Sequence, residues 1–172
     1  MTLIELVLSL LLLNIVILTA ISMELGIRRI FTSTDLEAAL LDEAAPIMAL
    51  VTKDINRGIG DDVLPSFTKP SASVYWIRLD NLADVNHVAK ADGGDMWAIY
   101  TFNSGNHQLT RTFGASSVLL SDKVQWFDIS FPVNGTSTVT VQLQTTPGGS
   151  AGPTNPMIQV QTQAQFREYP IS

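Results

Sequence analysis

The chain has 172 residues, 46% of them hydrophobic and 15% charged, with a formal charge of -6 and no cysteine. This composition excludes a disulfide-stapled scaffold, a cysteine-ligated metal site and a broadly basic nucleic-acid binder. Mean hydropathy is positive for a local reason, because the first 23 residues concentrate Leu, Ile and Val while the remainder is ordinary.

Between Glu5 and Glu24 lie eighteen uncharged residues, interrupted only by the polar Ser9, Asn14, Thr19 and Ser22. As a helix this run is about 27 Å long, close to the hydrocarbon thickness of a bilayer. The segment is therefore expected to span a membrane or to form the core of a polymer. No basic stretch precedes it and no small-x-small site closes it, which argues against a cleaved secretory signal.

Glu5 lies about one turn inside the apolar end, where an unpaired charge costs at least about 2.5 to 3.5 kcal/mol. Its compensation can come from the positive end of the helix, from the α-amine of its own chain, or from that of a neighbouring copy. The alternative is a glutamate at the headgroup level of an ordinary anchor.

The segment Met1-Thr2-Leu3-Ile4-Glu5-Leu6, followed by the apolar run to Met23, resembles the processed N-terminus of type IV pilins and of the pseudopilins of type II secretion. The resemblance implies that Met1 is exposed by a prepilin peptidase and N-methylated, and that Glu5 is the carboxylate needed for assembly. It implies that Leu6, Leu10, Leu13, Ile17 and Ile21 line the membrane span and later the filament core. Long-helix members often carry glycine and proline at the positions of Asn14 and Ser22, so a continuous helix is expected here. The chain is then the processed subunit.

Past the run, Leu36, Leu40, Ile47, Leu50, Val51 and Ile55 recur with interspersed alanines, which predicts an amphipathic helix lying on a globular domain. Thr34 and Glu37 match a capping box and offer a fresh helix start. Pro46 removes one helical hydrogen bond, so a bend or short break is expected at 42–46. Gly58 and Gly60 close the segment. Helix from 2 to 57 would be about 84 Å long, more than a domain of this size can cover. Residues 51–58 look like the end of the long helix in the minor-pilin or J-type pseudopilin branch.

From about residue 72 short strands are expected at Val74–Leu79, Met96–Phe102, His107–Phe113, Val118–Leu120 and Val124–Phe131, with turns at 103–106 and at Asn134-Gly135. Val139, Val141 and Leu143, then Ile158, Val160, Thr162, Ala164 and Phe166, alternate with threonine and glutamine, which predicts an antiparallel pair with one buried face covering the helix. Residues 129–166 carry no charge. The loop 145–156 reads as a lateral contact or a hairpin tip. The fold class expected is α+β and pilin-like: residues 1–58 form the long helix, with 1–24 in the membrane or filament core and 25–58 amphipathic, and 59–172 form an antiparallel sheet domain.

Catalytic chemistry is thinly supplied. His87 and His107 stand in no metal-ligand motif and read as turn or surface residues. Asp92 and Asp95 flank Gly93-Gly94 but do not match a calcium loop, so an ordinary turn is expected. Trp76, Trp97 and Trp126 lie in apolar strand runs and are expected in the core. Arg28 and Arg29 follow the apolar run at the level of lipid headgroups. Asn134-Gly135-Thr136 fits a glycosylation acceptor, a reading of little weight.

The function expected is that of a structural subunit polymerising through its N-terminal helix into a type IV pilus-like filament, with no cofactor, no metal and no enzymatic activity. The resemblance implies sister pilins, the prepilin peptidase and the assembly platform as partners, and no nucleic acid. It also implies residence in the bacterial inner membrane, followed by an extracellular pilus or a periplasmic pseudopilus. A type II pseudopilin, a minor priming or tip pilin, and a membrane-anchored binding protein are the alternatives.

Overall fold

Among the described residues one helix, α1 (Leu3–Asn56), is followed by eight antiparallel strands in two sheets. The computed structural model describes residues 2–59, 65–79, 95–133 and 135–166. The strands are β1 (Phe67–Ser71), β2 (Val74–Leu79), β3 (Met96–Asn103), β4 (Gln108–Phe113), β5 (Ser116–Ser121), β6 (Val124–Ile129), β7 (Thr136–Gln144) and β8 (Met157–Gln165). The first five form one meander and the last three another. The chain is thus α+β, a long N-terminal helix packed on an antiparallel sheet domain.

α1 is continuous, with neither a fresh start at Thr34 nor a break at 42–46. Thr34 starts no new helix: its hydroxyl donates to Ile30 O at 2.9 Å, while Ser33 donates to Glu37. Pro46 interrupts nothing. Pro46 and Asp42 both face solvent, so the carbonyl that proline leaves without a donor is available to water.

The lower part of α1 packs chiefly on β8 and β7 through Leu40, Ala44, Ile47, Met48, Val51 and Ile55. Val139, Val141 and Leu143 are fully buried on the facing side of β7, as their alternation predicts. Ile158 and Val160 of β8 lie partly buried against the same core. One core cluster joins the helix and both sheets, with Tyr75 edge-on to Phe127 at 5.2 Å. Lys69 of β1 pairs with Asp128 of β6 at 2.6 Å, tying one sheet to the other.

Two polar clamps fix the helix to the five-stranded sheet. Asp54, 1% exposed, accepts from the Tyr100 hydroxyl and from Arg111 Nε on the same Oδ2, each at 2.7 Å. Burial and the adjacent Asp54 charge push the Tyr100 hydroxyl far above its usual range. Burial works against the Arg111 charge, but the hydrogen bond and charge of Asp54 outweigh it and raise its pKa.

Eleven residues up the helix, Glu43 accepts from Ser121 at 2.6 Å and from Lys123 at 2.8 Å. Burial pushes the Glu43 carboxyl up, yet these two donors and the Lys123 charge outweigh that and hold it below the ordinary 4.5. A carboxyl lower in the folded than in the unfolded chain stabilises the fold above the unfolded value, and that contribution is lost as pH falls through the folded one. Circular-dichroism melts should therefore show Glu43→Gln melting lower than the parent at neutral pH, with the difference shrinking as pH falls below the unfolded carboxyl's ordinary 4.5 and the Glu43 carboxylate becomes protonated.

Gly58, just past the helix, packs against the Phe166 ring so closely that no Cβ fits, which places the helix end on the C-terminal edge of the core.

The tryptophans correct the sequence reading. Trp126 is 51% exposed, while Trp76 and Trp97 are half-buried and pair with each other at 5.7 Å. Arg78 lies over the Trp97 ring at 4.6 Å. The inward face of β2 and β3 carries Tyr75, Ile77, Ala98 and Tyr100 instead.

Candidate functional site

The candidate site is the upper part of α1, whose apolar run none of the described residues of the domain buries. The first buried residue of the helix is Leu40, and Ser33 and Leu36 are half-buried, whereas residues 3–32, about 45 Å of helix, are exposed throughout. The apolar window within this part is long enough to cross a membrane and none of it is buried. Leu6, Leu10, Leu13, Ile17 and Ile21 are each 46–55% exposed.

The local chemistry of this stretch suits a medium without water. Ser9, Thr19 and Ser22 each donate a hydroxyl to a carbonyl of their own helix at 2.8 Å, Glu5 O, Val16 O and Leu18 O respectively. Such bonds need no outside acceptor. Asn14 differs, because its amide has no hydrogen bond among the described residues.

Glu5 lies in the first turn. Its Oε2 accepts the Thr2 backbone N–H at 2.8 Å, the reciprocal half of a capping box. Of the partners considered for this carboxylate, the single chain thus supplies the positive end of its own helix. Met1, and with it the α-amine, lies outside the described residues. The sequence reading placed a capping box at Thr34 and missed the one at Thr2-Leu3-Ile4-Glu5, which shows the same four-residue spacing.

One turn below the apolar run, Arg28 pairs with Glu24 at 2.6 Å on the exposed helix face. Arg29 lines a groove of about 230 Å³ with Ile30, Ser33, Thr34 and Pro153. The loop between β7 and β8 therefore reaches its own helix just past the apolar run. Asn155 braces that loop, accepting from Thr146 N at 2.7 Å and donating to Thr146 O at 3.0 Å.

The outer face of β7 and β8 is a neutral ladder: Gln142 donates to Gln159 at 2.6 Å, and Gln161 to Thr140 at 2.9 Å. His107 occupies the β3–β4 turn with a positive φ of 58°, its Nδ1 3.3 Å from Val124 O. Asp95 faces Arg78 at 3.6 Å. His87, Asp92 and Asn134 lie outside the described residues, and among those described no three His, Cys, Asp or Glu side chains gather as a metal site.

Comparison with protein-family models, with curated proteins and with solved structures found no match.

Proposed function

We propose that the chain is a structural subunit of a type IV pilus-like filament, held in a membrane by the upper part of α1 and polymerised by transferring that segment from lipid to a bundle of sister helices. One observation carries this reading: the domain completes its core with the lower part of the helix and leaves residues 3–32 exposed, with a carboxylate at the tip. Burying so much apolar surface is strongly favourable at roughly 25 cal/mol per Å². Lipid supplies that burial to a monomer and sister helices supply it to a polymer.

Glu5 then selects the register. A helix sliding past its neighbours meets leucine and isoleucine at every depth, so apolar contact alone leaves the axial position undefined. An amine of the adjacent copy opposite Glu5 fixes it, because any other placement buries a charge alone. The sheet domain faces outward, and its uncharged threonine and glutamine ladder forms part of the filament surface.

Electron microscopy of material sheared from cells expressing the chain tests the proposal. Filaments decorated by antibody to the sheet domain are expected, their subunits beginning at a methylated Met1. A protein found only in membranes, with no polymer, would contradict it.

A further inference from the structure

We propose that, before it polymerises, the membrane-resident subunit forms a parallel, in-register pair with a second copy of itself, along a helix seam centred on Asn14. The proposal rests on the membrane step of the reading above and on nothing in its polymer step.

Asn14 sits near the middle of the apolar run, where the other polar side chains are satisfied within the helix. Its amide is left with two donor hydrogens and an acceptor oxygen. Lipid tails offer it nothing. A second Asn14 at the same depth offers both, because the amide is complementary to itself, and copies inserted in the same orientation place it there by pairing in parallel without axial offset.

The residues around Asn14 fit that partner. Leu3, Val7, Leu10, Asn14, Ile17 and Ile21 follow one another at alternating spacings of four and three, so they form one stripe along the helix. Val7 and Ile21 share the heptad position of Asn14, and Leu3, Leu10 and Ile17 occupy the other seam position, leucine at two of the three. β-branched residues at the first position with leucine at the second favour two parallel strands, and one asparagine at the first position fixes register. All six side chains are exposed in the single chain. The next two seam positions are Glu24 and Arg28, which pair with each other on their own helix and end the apolar stripe.

The chain has no cysteine, so single introduced thiols report contacts without background. In membranes of cells lacking any assembly machinery, Leu10→Cys and Ile17→Cys should oxidise to dimers at least about fivefold more than Leu12→Cys and Val16→Cys, which lie on the far side of the stripe. Adding Asn14→Leu to Ile17→Cys should lower the dimer yield roughly three- to twentyfold, and Asn14→Gln should restore most of it. Equal yields on and off the stripe, or an Asn14→Leu yield matching the parent, would overturn the proposal. The crosslinks are read without filaments. A chain that crosslinks along the stripe yet never polymerises refutes the filament reading alone, and one that polymerises without the pattern refutes the pair alone.

Discussion

Glu5→Gln is expected to give a folded, membrane-held protein whose filament yield falls roughly thirtyfold or more. Removing one partner of a desolvated, hydrogen-bonded charge pair costs about 2 to 5 kcal/mol, and polymerisation repeats that loss at every subunit. The choice of glutamine matters, because Glu5 also accepts the Thr2 N–H at the helix start. Glutamine retains an acceptor in a capping box, so this variant keeps the helix end and removes only the charge. Glu5→Ala removes both and should assemble no better. Quantifying sheared filaments against total protein checks the result, and a Glu5→Gln yield within twofold of the parent would show that Glu5 serves only as a cap.

The second large effect concerns the clamp at the other end of α1. Asp54→Ala should destabilise the domain by about 3 kcal/mol, since it leaves the Arg111 guanidinium and the buried Tyr100 hydroxyl facing each other without their shared acceptor. Asp54→Asn keeps an acceptor for one of the two donors and should cost less. Replacing Asp54 and Arg111 together by Leu and Met should recover part of the loss, because no uncompensated charge then remains. Chemical denaturation followed by tryptophan fluorescence measures all three, and a loss below about 1 kcal/mol for Asp54→Ala would show that packing alone seats the helix.

These two residues mark how far the sequence could be read. Glu5 announces itself as a carboxylate at the tip of an apolar run. Asp54 does not, although it falls three residues after Val51 on the buried stripe, because a charge on such a stripe is tolerable only with partners that come from β3 and β4, far along the chain. Strands β2 to β8 were legible from their apolar runs and turn residues, and the face of β7 from strict alternation with threonine and glutamine. β1 escaped because Phe67–Ser71 contains Pro70 and Lys69, a composition that only an edge strand accommodates.

The tryptophans were misplaced for a related reason. Where both faces of a strand carry large apolar residues, as in Tyr75-Trp76-Ile77, period two cannot say which face is inward. At Pro46 the sequence shows the missing donor and hides the compensation, which is that Asp42 and Pro46 lie on an exposed part of the helix. The uncovered half of α1 was foreseeable from length alone, whereas the groove between Arg29 and Pro153 depends on how the β7–β8 loop folds back, which no local pattern encodes.

A density map of the polymer bears most directly on whether copies of this chain shelter one another. Residues 3–24 of neighbouring copies should pack along the filament axis, with Leu6, Leu10, Leu13, Ile17 and Ile21 enclosed and Glu5 beside the amine of the adjacent subunit. Filaments held together by the sheet domains, with α1 on the outside or Glu5 far from any amine, would contradict the account.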